Sequence, residues 1–391
     1  VVKQFEPSHT LQRLPEQFFA QLVKKAQKLK EAGHDVINLG QGNPDLPTPD
    51  AIVDKLQEAA ARPKHHKYPP FRGQPFLKQA VCDFYQREYG VMLDPETEVA
   101  VLPGAKTGLV ELSQCLLNPG DKALLPDPGY PDYMSGIALA DATPLFMPLR
   151  AENSFLPDYA ALNGEDKQAA KLMFLNYPNN PTAGTASASF FEETTAFAQK
   201  HDICVCHDFA YGAIGFDGEK PRSFLQTEGA KDIGIEIYTL SKSYNMAGWR
   251  IAFAVGNPSV IESINLLQDH MYVSVFGAVQ EAATEALQGS QENVKELVAV
   301  YEQRRNTLVS SLRDIGWDVP SPKGSFFAWL PVPAGFRSEE FADLLLEKAH
   351  VVVAPGTGFG KSGDGYVRVG LVAPEELMKE AAARIGKLGL F

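Results

Sequence analysis

Cysteine is scarce in this chain: Cys82, Cys115, Cys204 and Cys206 are the only four among 391 residues. Four are too few for a disulfide framework in a chain long enough to bury a core unaided, so a reducing cytoplasm is the expected compartment. Positive charge is also in short supply. Lys and Arg number 36 against 48 Asp and Glu, a net charge of −12. A general nucleic-acid binder carries a basic footprint, and anionic membrane surfaces attract basic segments, so neither partner is expected. No apolar run reaches the length that spans a bilayer, and residues 1–13 hold no apolar stretch of the secretory-signal kind. Internal repeats, low-complexity tracts and long charged linkers are missing as well.

What is present is an ordinary globular composition, 45% hydrophobic and 21% charged, over a length that predicts two or three domains. A polar arm precedes an amphipathic helical pattern over residues 15–32, followed by a short apolar strand at 35–39. Strand signals recur at 98–102, 122–125, 171–175, 203–206, 235–240 and 250–255, with helical patterns at 107–117 and 190–200. This alternation predicts an α/β chain whose mostly parallel sheet is covered on both faces. A long helix is expected over 291–315, and the tail carries further strands at 325–330, 351–354 and 366–371. The expected organisation is a large domain at 49–290 and a smaller α/β domain at 291–391, joined by part of the arm at 1–48.

Three stretches carry chemistry. In the first, a strand runs through Pro103, Gly104 and Ala105 into a helix that starts near Lys106 and Thr107. A helix N-terminus reached through such a turn presents free N–H groups and is a natural phosphate seat, although a plain strand-to-helix turn reads the same way. In the second, Asp208 directly follows an apolar strand, at the sheet end where ligands bind in α/β folds. A carboxylate there is costly without a cationic partner, and a protonated ring nitrogen is one such partner; a helix cap or a buried salt bridge is another reading. His207 beside it lacks further ligands at metal-binding spacing, and Cys204 and Cys206 read as core, so no metal is expected. In the third, Lys242 lies just past a strand among Thr239, Ser241 and Ser243, with Arg250 eight residues on. A lysine that is desolvated or near other cations can lose its proton and form a Schiff base, although taken alone this one reads first as a solvated loop lysine.

A phosphate seat, an acid for a pyridinium and a lysine for an aldehyde are together what pyridoxal phosphate requires. With Asn180-Pro181-Thr182, Asp208-Phe209-Ala210-Tyr211, Ser241-Lys242 with Arg250, and Tyr366-Val367-Arg368-Val369, the chain resembles the class I aminotransferases of pyridoxal-phosphate fold type I, over about residues 37–371. Stretches 34–45 and 175–182 resemble the bacterial methionine-salvage aminotransferases in particular. The resemblance implies that Lys242 holds the cofactor and moves the proton. It implies that Asp208 faces the pyridine nitrogen, that Tyr211 and Asn180 bond the ring oxygen, and that Tyr130 stacks on the ring. The phosphate would meet the backbone of Ala105 and Lys106, the hydroxyls of Thr239 and Ser241, and Arg250. Tyr68 would reach it from a neighbouring subunit, which implies a homodimer with shared active sites. Arg368 would clamp the substrate α-carboxylate, helped by Gly42 and Asn180. The side chain of Lys106 receives no role. One departure stands out: Ala183 precedes Gly184 where the family pattern has glycine directly after threonine.

The expected reaction moves an amino group between an amino acid and a 2-oxo acid. Conversion of 4-methylthio-2-oxobutanoate to methionine with a donor such as glutamine leads. Aspartate, alanine, aromatic or diaminopimelate specificity, or a C–S lyase of the same cofactor, are the alternatives that share the site. A phosphate-binding loop at Gly356-Thr357-Gly358-Phe359-Gly360-Lys361-Ser362 is the distant rival, because Pro355 precedes it and a strand rather than a helix follows. A non-enzymatic sensor would need a basic helix-turn-helix region, and none fits before residue 37.

Overall fold

The computed structural model describes residues 2–16 and 18–391. Val1 of the expected arm and Gln17 of the expected first helix therefore lie outside the described residues. Strand β1 (Ile37–Asn38) belongs to a small sheet described below. The next seven strands form the central sheet: β2 (Val99–Leu102), β3 (Lys122–Asp127), β4 (Thr143–Pro148), β5 (Ala170–Asn176), β6 (Cys204–Asp208), β7 (Gly234–Thr239) and β8 (Ala252–Gly256). They lie side by side in the order β2-β8-β7-β6-β5-β3-β4. Strands β3 to β7 run parallel, and β8 is antiparallel to both of its neighbours. The inner strands are near-continuous apolar runs because helices cover both faces. Leu109, Leu112, Ile261 and Ile264 pack on one face, and Leu77, Phe84, Phe191 and Ala282 on the other.

Strand β4 was not expected. Its sequence carries Pro144 and Pro148 and is largely open to solvent, so neither apolar alternation nor a buried run marks it. It sits at the sheet edge, where proline costs no ladder hydrogen bond. The pairing register decides where chemistry can happen. Asn176 is level with Asp208, and Asp208 with Ile237, so Asn176, Asp208 and Thr239 all emerge at the same edge of the sheet.

A second core forms from residues near both chain ends. Leu297, Tyr301, Leu308 and Leu312 of the long helix Glu292–Asp314 pack with β9 (Phe327–Pro331) and with Met378 and Ile385 of helix Glu375–Gly386. Strand β10 (Val351–Val352) pairs in parallel with β1, while β11 (Ala354–Pro355) joins β12 (Tyr366–Gly370), which also pairs with β9. Ala26 of the first long helix, Phe18–Glu31, packs with Leu346 and Val352. Arg304 fastens the N-terminal segment to this core. Its guanidinium donates to both oxygens of Asp45, each at 2.8 Å, and to the Leu371 carbonyl at 3.0 Å.

The Arg304 side chain is only 7% exposed, so breaking this fork leaves a half-buried carboxylate unpaired. Arg304→Leu should lower the unfolding free energy by about 3 kcal/mol in guanidinium denaturation, a penalty typical of a broken buried pair. An unchanged midpoint would show that the fork contributes nothing.

Candidate active site

Strand β6 delivers Asp208 to the sheet edge with 5% of its surface exposed. Burial pushes its carboxyl up to about 6, against the opposing hydrogen bond from Tyr133 and the nearby His207 and Lys242. The Tyr133 hydroxyl donates to Oδ2 at 2.8 Å. Oδ1 is buried with no hydrogen-bond partner among the described residues. Asn176 braces the segment, its amide donating to the Asp208 carbonyl at 2.8 Å while its own oxygen accepts from the Asn180 N–H at 2.7 Å. His207 faces the other way, into the sheet, where Nδ1 lies 2.7 Å from Glu236 Oε2.

Lys242 sits in the short helix Leu240–Ser243 that follows β7. Its amine donates to the Gly42 carbonyl at 3.2 Å and lies 5.2 Å from the centre of the Phe326 ring. Burial, then the nearby Arg368 and Arg250, lowers its pKa to about 8, with Asp208 pulling the other way. Near neutral pH this amine therefore spends a useful fraction of its time unprotonated.

Gly104 opens the phosphate seat expected from the sequence. Its φ is +94°, and a Cβ there would stand 2.2 Å from Arg250 Nη2, so only glycine lets the guanidinium lie against this turn. The helix Ala105–Leu116 begins immediately afterwards, and its first N–H groups have no intrahelical acceptor. Thr239 and Ser241 are buried nearby, with Thr239 Oγ1 donating to Ser241 Oγ at 2.9 Å. A helix start, two hydroxyls and a guanidinium make a suitable seat for a dianion.

Arg368 reaches in from β12. It donates to Asn180 Oδ1 at 2.8 Å and to the Gly40 carbonyl at 3.0 Å. Its guanidinium lies 4.0 Å from the Phe327 ring centre and 4.6 Å from that of Phe359. Burial draws it down to about 9, which leaves it charged at neutral pH.

Asp208, Lys242, Thr239, Ser241, Arg250 and Arg368 line one cavity of about 480 Å³, as does every other site residue expected from the sequence except Tyr68. Tyr68 is 87% exposed on the outer surface. Ala183 takes the positive φ of +59° in the turn after Asn180. The turn closes all the same, because Asn179 Oδ1 accepts from both the N–H and the hydroxyl of Thr182, at 2.9 and 2.8 Å. The glycine-rich stretch at 356–362 is not a phosphate loop. It folds as two short 3₁₀ turns, and the Ser362 N–H and hydroxyl donate to Asp127 at 3.1 and 3.0 Å. Sequence reasoning missed Tyr133, Asn176 and Asp132, which pairs with Lys106 at 3.0 Å. No spacing rule marks them, because Asp132 and Tyr133 at the start of one helix and Asn176 at the end of β5 lie far along the chain from the Lys106 and Asp208 that they touch. Among the described residues no group of His, Cys, Asp and Glu is placed to hold a metal.

The profile of aminotransferase class I and II matches residues 34–385. The chain belongs to this family. It is 65% identical over 387 residues to the L-glutamine–4-(methylsulfanyl)-2-oxobutanoate aminotransferase of Bacillus subtilis (strain 168), covering 99% of this chain and 97% of that one. A substrate-bound structure of BacF from Bacillus subtilis superposes with a TM-score of 0.95 at 49% identity, covering 99% and 98% of the two chains. A double mutant of the aspartate aminotransferase from Thermus thermophilus superposes with a TM-score of 0.91 at 27% identity, covering 98% and 100%. The protein is thus an aminotransferase of fold type I that depends on pyridoxal phosphate. The residues present fit that group. Asp208 Oδ1 can accept from a protonated pyridine nitrogen, the turn at Gly104 can seat a phosphate, and the Lys242 amine can meet an aldehyde.

Tyr133→Phe removes a hydrogen bond that favours the charged form of Asp208, so the Asp208 pKa should rise. The pH below which the apoprotein loses affinity for the cofactor should then move up, and kcat of the loaded enzyme should fall roughly tenfold, the size expected of one hydrogen bond to a charged group. Cofactor affinity with the parent's pH dependence would exclude this coupling.

Proposed function

We propose that this enzyme transfers the amino group of an L-amino acid, glutamine first among them, to 4-(methylsulfanyl)-2-oxobutanoate, giving methionine. The 65% identity over nearly the whole chain to the Bacillus subtilis enzyme of that name carries the reading. The cavity wall agrees with it: Leu22, Val23 and Leu109 are apolar, and Asn38, Gln41 and Asn43 are uncharged. Such a wall accepts a thioether or an amide without stranding a charge.

Pyridoxal phosphate, when bound, supplies an aldehyde that condenses with amines and a ring that draws electrons from the adjacent carbon. In this reading Asp208 Oδ1 holds the proton on the ring nitrogen. Ala105, Lys106, Thr239, Ser241 and Arg250 hold the phosphate, with Tyr68 of a second subunit. Tyr130 covers one ring face, while Asn180 and Tyr211 donate to the ring oxygen. Arg368 orients the substrate by its α-carboxylate, since a planar guanidinium matches a carboxylate with two parallel bonds. Lys242 Nζ then takes the proton from the substrate α-carbon and would return it to the carbon on the far side of the amino nitrogen, two bonds away. Its lowered pKa serves this step, because only the neutral amine can accept a proton.

The same reading makes the protein a cytoplasmic homodimer whose bodies divide near residues 48 and 290. All four cysteines are free, which suits a reducing compartment. Tyr68, Phe71, Met271 and Phe276 are exposed on two segments that Arg72 ties together through Asp269 at 2.7 Å, and these supply an apolar face for a second subunit. Among the described residues no helix is long and apolar enough to cross a membrane.

A panel of amino donors against 4-(methylsulfanyl)-2-oxobutanoate tests the substrate: methionine should form, fastest with glutamine, and no methionine with any donor overturns the proposal. Lys242→Ala should keep its circular dichroism and lose turnover by at least about a thousandfold, as loss of a catalytic nucleophile or base commonly does. It should also lose the cofactor label fixed by borohydride. Sedimentation equilibrium should give twice the chain mass, and a monomer at working concentration would remove Tyr68 from the site.

A further inference from the structure

Among the described residues four basic side chains line the cavity: Lys106, Lys242, Arg250 and Arg368. The proposed chemistry employs three of these side chains and leaves that of Lys106 without a task. Lys106 lies in the first turn of helix Ala105–Leu116, with its side chain 49% exposed. Its Nζ is 3.0 Å from Oδ2 of Asp132, whose side chain is only 13% exposed. Asp132 stands at the start of helix Tyr133–Leu139, close to Tyr130, whose ring lines the same cavity as Lys106.

A substrate with a second carboxylate needs a cation to receive it. Lys106 is the cavity's spare cation, and Asp132 already neutralises it. A dicarboxylate must either approach Lys106 with Asp132 still in place, which sets two carboxylates on one ammonium, or displace Asp132 and leave a largely buried carboxylate unpaired. An uncharged side chain does neither. Selection against a competitor by an unfavourable charge arrangement is a common route to specificity.

We propose that Asp132 is a specificity-determining residue: by holding Lys106, it turns this site away from dicarboxylic amino acids and 2-oxo acids and toward uncharged side chains. The inference deepens the substrate reading given above and rests on it.

Glutamate and glutamine differ only in carboxylate against amide, so their ratio of kcat/KM as donors isolates this effect. The holoenzyme of the parent, Asp132→Asn, and the double variant Asp132→Asn with Lys106→Gln are compared. Calorimetric binding of glutarate against pentanoate gives a second readout that is independent of turnover. Asp132→Asn should raise the glutamate-to-glutamine ratio about tenfold and tighten glutarate relative to pentanoate by a similar factor, the size of one charge-assisted contact. The double variant should return both ratios to the parent values. An unchanged ratio in Asp132→Asn, or a gain that survives removal of Lys106, overturns the proposal. Asp132→Ser must move both ratios in the same direction, which covers a folding defect peculiar to asparagine. The parent's own donor profile tests the substrate reading separately: a parent that prefers glutamate to glutamine defeats that reading, whereas the change caused by Asp132→Asn judges the role of Asp132.

Discussion

A carboxylate at the end of a central β-strand, shut away from water, is held at the expense of hydration, and Asp208 is in that position. Among the described residues only one of its oxygens has a hydrogen-bond partner, Tyr133; the other is an acceptor in want of a donor. Much of the surrounding structure follows from this need. The parallel register of β5, β6 and β7 brings Asn176, Asp208 and Thr239 to one edge. Asn176 then fixes the backbone of Asp208 and of Asn180 together. A ring cation placed against Oδ1 would offset the desolvation that now pushes the carboxyl up, so cofactor and apoprotein stabilise one another.

Lys242 shows the opposite response to the same environment. Burial and two neighbouring guanidinium groups favour its neutral form, while Asp208 opposes them. One low-dielectric cavity therefore biases an acid toward protonation and an amine toward its free base, which suits a site that must pass protons near neutral pH. The second core completes the arrangement by sending in Arg368. Neutral acceptors and two aromatic faces hold that guanidinium, so its position depends on both cores at once. The turn at 356–362 serves the same junction: Ser362 grips Asp127 at the end of β3, and the Phe359 carbonyl accepts from the Gly129 N–H at 2.8 Å.

Much of this is legible in the amino-acid sequence. The buried strands announce themselves as short apolar runs, because strands covered on both faces need no polar alternation. Asp208, Lys242 and Gly104 stand out locally, each being a charged or small residue just beyond an apolar strand. Strand β4 did not, since its prolines and exposed face carry an edge-strand pattern that resembles a loop. Tyr133 and Asp132 were equally silent: a tyrosine in a turn has many fates, and nothing in the spacing of 132, 133 and 208 ties them together. The glycine-rich stretch at 356–362 sends the reverse signal, a motif whose Ser362 N–H and hydroxyl serve the protein's own Asp127 carboxylate.

The order of apolar and polar residues along the chain was enough to determine the α/β class, the elements that end in reactive groups and the cofactor those groups suit, because periodicity and strand-end chemistry are local properties. Which acceptor of Asp208 stays open, which cation Asp132 neutralises and which aromatic faces hold Arg368 were decided only by the tertiary structure. Of these contacts, Lys106–Asp132, Tyr133–Asp208, Arg368–Asn180 and Arg368–Gly40 join residues 26, 75, 188 and 328 positions apart, and their strengths depend on distance and burial, which exist only once the chain has folded.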